Sequence, residues 1–259
     1  DIDMAGIDFV PIGSNGDNSG NILPGDKRIF TGVYDGDGKV IIGLNINSNT
    51  SHTGLFKASS GTIINTTIDG LTINSTEKVV GGIVGGNLES GTISNSITKG
   101  KIVIDKENSE NNIDYTNLSN FGGIVGENFG QVQDCKSKID IKLPTNYKIS
   151  INAGGIAGSN KGGLIESSYS AGSIRDISRN GGGIAGINLG RDRKAIVSNS
   201  FSSLNIIGIN DKEDAKWGGN TLGGLVGRTE GKWIQGAKPS PSEYSEVKNS
   251  YALGDITGT

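Results

Sequence analysis

The chain has 259 residues, 20% of them charged, with 43 glycines and a formal net charge of −3. The glycines follow no three-residue period and only five prolines occur, which excludes collagen, while the nearly balanced charge gives no general attraction to nucleic acid. Isoleucine outnumbers leucine 35 to 13, one cysteine is present and no apolar run approaches 18 residues, so a helical, disulfide-stabilised or membrane-inserted protein is not expected.

Residues 1–53 are predicted to form an N-terminal coil or cap. Within it, Asp35 and Asp37 lie in an Asp-Gly-Asp-Gly run, where they are weak candidates for a calcium site or for the acid pair of a polysaccharide hydrolase. A glycine-rich turn explains the run without a ligand, so no metal or cofactor is predicted. The only histidine, His52, lies in a turn-like stretch and is expected to be exposed. No His-Glu-x-x-His motif is present, so zinc-peptidase chemistry is not expected from this chain.

Residues 54–259 are predicted to form repeated coils, because a pentapeptide Gly-Gly-(Ile/Leu)-(Val/Ala)-Gly occurs five times. An Asn stands two positions after four of the copies, and Thr229 replaces it in the fifth. The repeated glycines are Gly81, Gly82, Gly85, Gly122, Gly123, Gly126, Gly154, Gly155, Gly158, Gly182, Gly183, Gly186, Gly223, Gly224 and Gly227, and the asparagines are Asn87, Asn128, Asn160 and Asn188.

Each copy continues with a run of the form (Ile/Val)-x-(Asn/Asp/Ser)-(Ser/Cys/Thr), and an isoleucine follows seven residues after the Asn-type position. Three apolar columns result, and each is expected to stack inside the protein. The first is Ile83, Ile124, Ile156, Ile184 and Leu225; the second is Ile93, Val132, Ile165, Val197 and Val247; the third is Ile102, Ile141, Ile174, Ile206 and Ile256. The Asn and Ser positions are expected to form ladders along the axis, and Asp134 is assigned to an internal Asn column.

The repeat predicts an all-β protein, a parallel β-helix of about seven coils with three short strands each. The helix is expected to be right-handed, since parallel crossovers almost always are. A β-propeller needs four strands per blade, and a sandwich would not repeat one pentapeptide, so both are disfavoured.

Four variable stretches are predicted to be insertions: 103–121, 142–153, 207–222 and 228–246. Aromatic residues in them are the candidate ligand-binding residues, because Trp and Tyr are favoured anchors of binding sites. They are Tyr147, Trp217, Trp233 and Tyr244, of which the two tryptophans flank one strand and are expected to form a patch. The alternative is that the insertions fold onto the wall and bury these rings. Tyr169, Phe201 and Tyr251 are expected to form a structural ladder on the outer wall.

The order Gly-Gly-Ile-Val-Gly, Asn, Gly, Ile-x-Asn-Ser and Gly-x-Ile resembles the GLUG repeat of bacterial secreted and surface proteins. The N-terminal run from Phe9 to Ile46 is similar to the segment that opens such arrays. The departures are Thr229, the long interruption of the last coil, and Leu71 and Ile73 in place of a single isoleucine. GLUG arrays occur in adhesin-like proteins and beside the catalytic regions of immunoglobulin A metallopeptidases. The resemblance supplies no catalytic residues.

The sequence and the resemblance together predict a non-catalytic extracellular module of a bacterial surface protein, a segment of a longer chain. Its expected partners are other domains of that chain and a host glycoprotein, immunoglobulin or glycan, with no nucleic acid and no membrane insertion. Two alternatives stay open. One is an accessory region that positions substrate for an immunoglobulin A metallopeptidase. The other is a polysaccharide-degrading β-helix enzyme that uses Asp35 and Asp37.

Overall fold

The structure is a computed structural model that describes residues 1–13, 28–49, 51–105, 119–145, 151–190, 192–209, 221–231 and 244–258. In this part of the chain, 30 strands form four sheets in which every pairing between strands is parallel. None of these residues belongs to a helix that could cross a membrane. The predicted parallel β-helix is therefore confirmed.

Sheet A has the longest strands, and sheet C precedes it along each coil. Sheet A contains β1 (Ile2–Asp3), β3 (Val40–Ile42), β4 (Asn45–Ser48), β8 (Thr67–Ser75), β12 (Ile97–Ile104), β16 (Lys136–Lys142), β20 (Tyr169–Ile177), β24 (Phe201–Ser202), β25 (Asn205–Gly208), β29 (Tyr251–Ala252) and β30 (Ile256–Gly258). Sheet C contains β2 (Val33–Asp35), β7 (Thr62–Ile64), β11 (Thr92–Ser94), β15 (Gln131–Gln133), β19 (Leu164–Glu166), β23 (Ala195–Ser198) and β28 (Ser245–Lys248).

The other two sheets contain the two halves of the glycine pentapeptide. Sheet D contains β5 (His52–Thr53), β9 (Val79–Gly81), β13 (Ser119–Gly122), β17 (Ile151–Gly154), β21 (Asn180–Gly182) and β26 (Thr221–Gly223). Sheet B contains β6 (Phe56–Ser59), β10 (Val84–Asn87), β14 (Val125–Asn128), β18 (Ala157–Lys161), β22 (Ala185–Leu189) and β27 (Val226–Glu230). The chain passes through sheets D, B, C and A in turn, and the seven strands of sheet C agree with seven predicted coils.

Each complete coil has four strands where the sequence predicts three. The difference arises inside the pentapeptide, where β9 ends at Gly81 and β10 begins at Val84. Gly82 and Ile83 between them form a corner, so one apolar stretch supplies strands to two sheets. The strands also extend into the ends of all four ranges predicted as insertions, for example at Phe121 in β13.

The three predicted apolar columns are confirmed as internal stacks. Ile93 and Val132 are paired in register, as are Ile102 and Ile141, and the same register continues from coil to coil. At the last coil the stacks reach an open end, where Val247 is 38% exposed and Ile256 46%.

The pentapeptide glycines are required by close packing between sheets D and B. A Cβ on Gly158 would lie 2.3 Å from the amide nitrogen of Phe121 in the preceding coil. A Cβ on Gly122 would lie 2.0 Å from the carbonyl oxygen of Val125. None of the pentapeptide glycines has a positive φ, so glycine is needed at these positions for the close approach of the sheets and not for a left-handed turn.

The second glycine of four pentapeptides faces a small hydroxyl side chain of sheet A, and in the fifth Gly224 faces Ala252. A Cβ on Gly123 would lie 2.0 Å from Oγ of Ser137, and one on Gly183 would lie 2.2 Å from Oγ of Ser202. Hydroxyl groups of this column bond to the corner backbone, as where Ser170 Oγ donates to the Gly183 carbonyl at 2.5 Å. A larger residue on either side would separate the two sheets.

The Asn/Asp/Ser position of the second repeated run forms the turn from sheet C to sheet A. Asn95 and Asp134 have φ of +46° and +53°, a backbone region that Asn and Asp tolerate better than most residues. Asp134 is exposed, so its assignment to an internal column is wrong. The neighbouring Ser position is internal, and there the Ser168 amide donates to Oγ of Ser200 at 3.2 Å.

Candidate functional site

A buried asparagine ladder runs along the end of sheet B, as predicted. Asn87 Nδ2 donates to Oδ1 of Asn128, and the same bond joins Asn128 to Asn160 and Asn160 to Asn188, each at 2.8 Å. All four side chains are fully buried. Each Nδ2 also donates to backbone carbonyls of the turn towards sheet C, so the ladder fixes the spacing of the coils.

A second asparagine ladder stands at the start of sheet D and was not predicted. Asn152 Nδ2 donates to Oδ1 of Asn120 at 2.8 Å, Asn180 Nδ2 donates to Oδ1 of Asn152 at 2.6 Å, and Thr221 bonds to Asn180. The sequence does contain a signal for this second ladder, because each of its asparagines lies two residues before the first glycine of a pentapeptide.

The start of sheet D lies against the end of sheet B at one edge of the solenoid. Asn120, at the start of β13, donates from Nδ2 to Oε1 of Glu127, near the end of β14, at 2.6 Å. The same two ends also pack together where Gly86 of β10 faces His52 of β5, since a Cβ on Gly86 would lie 3.2 Å from the His52 ring. We call the first residues of the sheet D strands and the last residues of the sheet B strands the loop-bearing edge.

The loop-bearing edge is named for the segments that the chain connects to it. Among the segments outside the described residues that are longer than one residue, three connect sheet A to the start of sheet D and one connects the end of sheet B to sheet C. They are 106–118, 146–150, 210–220 and 232–243. All four therefore attach at the loop-bearing edge, and they include most of the predicted insertions.

A compact charged cluster occupies this edge. Lys161 Nζ lies 2.7 Å from Oε1 of Glu127, and both side chains are largely buried, at 12% and 16% exposure. The same ammonium lies 5.7 Å from the centre of the Phe129 ring, whose carbonyl accepts a bond from Arg193. Because Glu127 also accepts from Asn120, its carboxylate is held by two partners from different strands. The cluster therefore links strands of sheets D and B at the loop-bearing edge.

His52 lies in β5 with most of its side chain buried, so the prediction of an exposed turn histidine is wrong. Burial lowers its pKa to about 4, because a charged imidazole would lose its hydration there. The nearby charge of Glu127 opposes this effect, whereas the positive charges of Lys57, Lys161 and Arg28 reinforce it. His52 is therefore neutral at physiological pH.

Replacing His52 by glutamine should flatten the dependence of stability on pH. Between about pH 6.5 and 4 the unfolded chain binds a proton at His52 and the folded chain does not, so stability falls as the pH falls through this range. The expected loss from pH 7 to 4.5 is about 2 kcal/mol, measured as the urea unfolding free energy, and it should be absent in His52→Gln. An equal loss in both proteins would contradict the assignment.

The predicted aromatic ladder on sheet A is confirmed. The rings of Tyr169 and Phe201 are stacked with centres 5.1 Å apart, and those of Phe201 and Tyr251 are 4.6 Å apart. Tyr169 also bonds to Ser203 through its hydroxyl at 2.9 Å. Since each ring covers the face of its neighbour, the wall presents ring edges, and Tyr251, 61% exposed, ends the described stack.

The remaining predicted binding residues are placed only in part. Tyr147, Trp217 and Trp233 lie outside the described residues, so the predicted aromatic patch stays a prediction. Tyr244 is exposed, just before β28, and its carbonyl accepts from the Ala195 amide at 3.2 Å.

Asp35 ends β2 and Asp37 lies in the turn that follows, at the N-terminal end of the solenoid beside a cavity of about 230 Å³. Asp35 Oδ1 accepts from Asn65 Nδ2 at 2.8 Å and from the Asp37 amide at 2.9 Å. These two bonds lower the pKa of Asp35, the side-chain bond most. Asp35 therefore closes the turn and starts the ladder that continues to Asn95. In the described part of the chain, no three His, Cys, Asp or Glu side chains come together in a way that could hold a metal ion.

The comparisons with known proteins agree with this architecture. The GLUG motif model matches residues 218–257. A crystal structure of a putative immunoglobulin A1 protease from Bacteroides ovatus matches with a TM-score of 0.66 and 21% identity, over 100% of this chain and 68% of the other. No curated protein matches the chain significantly. The chain thus carries a GLUG motif in its last coil, on a parallel β-helix whose fold is shared with that structure.

Proposed function

We propose that the chain is a non-catalytic recognition module of a secreted or surface-attached bacterial protein. It binds a host glycoprotein or glycan through the segments attached at the loop-bearing edge, and the solenoid serves as a rigid stalk for them. The observation that carries the proposal is that the strand ends connected by the four segments lie on the edge that also holds the Asn120, Glu127 and Lys161 cluster. Variable segments on a rigid scaffold are a common location for binding.

The test is a glycan array and a binding assay with immobilised immunoglobulin A1, both with the purified chain. Replacing Trp217 and Trp233 together by alanine should weaken binding at least about tenfold, the effect typical of aromatic anchors. Tyr251→Ala is the matched control, because this exposed aromatic lies on sheet A, away from the loop-bearing edge. If the double variant still binds, the two tryptophans are not part of the binding site.

A second candidate is an accessory region that positions substrate for an immunoglobulin A metallopeptidase. The likeness in fold to the Bacteroides ovatus structure favours it. It predicts that the chain binds immunoglobulin A1 and not immunoglobulin G, and that it belongs to a longer protein with a His-Glu-x-x-His motif elsewhere. Binding to free glycans alone would favour the first candidate.

A polysaccharide-degrading activity based on Asp35 and Asp37 has weaker support. The cavity beside them is a suitable location, with Tyr34 and Lys39 in its lining. However, a glycosidase needs one carboxyl group with a raised pKa as general acid, and the pKa of Asp35 is lowered. Turnover of a polysaccharide by the chain that is lost in Asp35→Asn would support this activity.

A further inference from the structure

The outer face of sheet A carries a cluster of cations in three successive coils. Side chains of β16 alternate strictly between exposed and buried, and the exposed ones include Lys136, Lys138 and Lys142. Neighbouring strands add cations on the same face. We call the six side chains the basic patch: Lys99, Lys101, Lys136, Lys138, Lys142 and Arg175.

Pairs of like charges face each other directly within this patch. The strand register places Lys99 beside Lys138 and Lys142 beside Arg175. Like charges directly opposite on neighbouring strands destabilise a sheet, so these pairs have a cost in the folded protein. A structural role would favour alternating charges here, as at Lys101 and Asp140, and does not explain the two repulsive pairs.

The cations of the patch are only partly neutralised. Lys99 lies 2.6 Å from the carboxylate of Asp69, and Asp140 accepts a bond from Ser173. In the described part of the chain, Lys136, Lys138 and Lys142 have no carboxylate partner. The patch is therefore locally positive although the whole chain has a net charge of −3.

The shape of the patch is flat and extended. From Lys136 to Lys142 the strand spans about 20 Å, and the three coils add about 10 Å in the other direction. All of these charges lie within a few Debye lengths of one another, so their electric fields add up at low salt concentration.

We propose that the basic patch binds a linear polysaccharide that carries carboxylate or sulfate groups. An extended polyanion can contact several lysines along the strand and relieve the repulsion between the facing pairs. Ammonium groups act as point charges and need no fixed geometry in the anion, which suits repeated carboxylates or sulfates.

The aromatic ladder beside the patch argues against single-stranded nucleic acid. Successive bases would need a row of open ring faces to stack on, and here Phe201 is covered on both faces and Tyr169 on one. A membrane surface would need apolar anchors, and the most exposed apolar side chains, Val33 and Leu253, lie at the two ends of the solenoid.

This site is on a different face from the loop-bearing edge, so it does not depend on the proposed function. The test measures binding of the chain to heparin, to polygalacturonate and to neutral dextran, with a single-stranded oligonucleotide as the competing polyanion. Lys136→Glu combined with Lys138→Glu should weaken heparin or polygalacturonate binding about tenfold or more, and the wild-type affinity should fall as salt rises. Lys194→Glu combined with Lys248→Glu is the control with the same charge change at exposed positions on sheet C or beside it, outside the patch.

The expected result is binding to a charged polysaccharide and not to dextran, lost in the patch variant and kept in the control. Circular dichroism and the thermal midpoint confirm that both variants are folded. The proposal is overturned if neither charged polysaccharide binds, if the control loses as much affinity as the patch variant, or if the oligonucleotide binds more tightly. The Trp217 and Trp233 variants should leave this binding unchanged, which separates it from the proposed function.

Discussion

Replacing Gly158 by alanine is expected to destabilise the protein by about 3–5 kcal/mol, or to prevent folding. The added Cβ would lie 2.3 Å from the Phe121 amide nitrogen and 2.6 Å from the Asn120 carbonyl carbon. Both atoms belong to the backbone of β13, so no side-chain rotation can relieve the overlap. Sheets D and B would have to separate, and the bond between Asn120 and Glu127 would be strained with them.

The matched control is Gly32→Ala. There the new Cβ would lie 3.4 Å from the end of the Phe30 ring, which is ordinary van der Waals contact, and the backbone has no positive φ. Its unfolding free energy should change by less than about 1 kcal/mol. Urea unfolding of both variants decides the matter: similar midpoints would show that the pentapeptide glycine is not needed for close packing.

The repeated residues predict most of the fold because a solenoid places equal positions at equal heights. Ile93 and Ile102 could be assigned to internal columns from spacing alone, and the structure confirms both columns. The fourth strand of each coil could not be predicted in this way. The corner at Gly82 and Ile83 has the same apolar character as the strands on either side, so hydrophobicity does not mark it.

The candidate site was less predictable for two physical reasons. The insertions do not repeat, so no stacking rule places Trp217 or Trp233. The edge itself depends on contacts between sheets D and B, and these come from residues that are polar and unremarkable in the sequence, such as Glu127. His52 shows the same effect: local turn residues suggested exposure, whereas packing against Gly86 buries it.

The ladder of buried asparagines should be nearly as sensitive as the glycines. Asn128 Nδ2 donates to Oδ1 of Asn160 at 2.8 Å and to the carbonyls of Gly130 and Leu164, both at 3.3 Å. Asn128→Ala removes these donors and leaves buried acceptors without a partner. We expect a loss of about 3 kcal/mol in the unfolding free energy. Asn47→Ala is the control, because Asn47 bonds to Asp8 and Asn74 in a similar ladder that is exposed to water.

The variant Asn128→Asp tests the hydrogen bonds of the ladder separately from the volume of the side chain. The aspartate has nearly the same size and still accepts from Asn87, but its ionised form presents a buried charge to Oδ1 of Asn160. The folded state should therefore raise its pKa, so this contribution to stability is lost as the pH rises from the unfolded value near 3.9 towards the raised folded value, and on acidification Asn128→Asp gains stability relative to Asn128→Ala. Unfolding at pH 7 and pH 4.5 measures both variants, and a parallel response would mean that the ladder acts by filling space and not by donating hydrogen bonds.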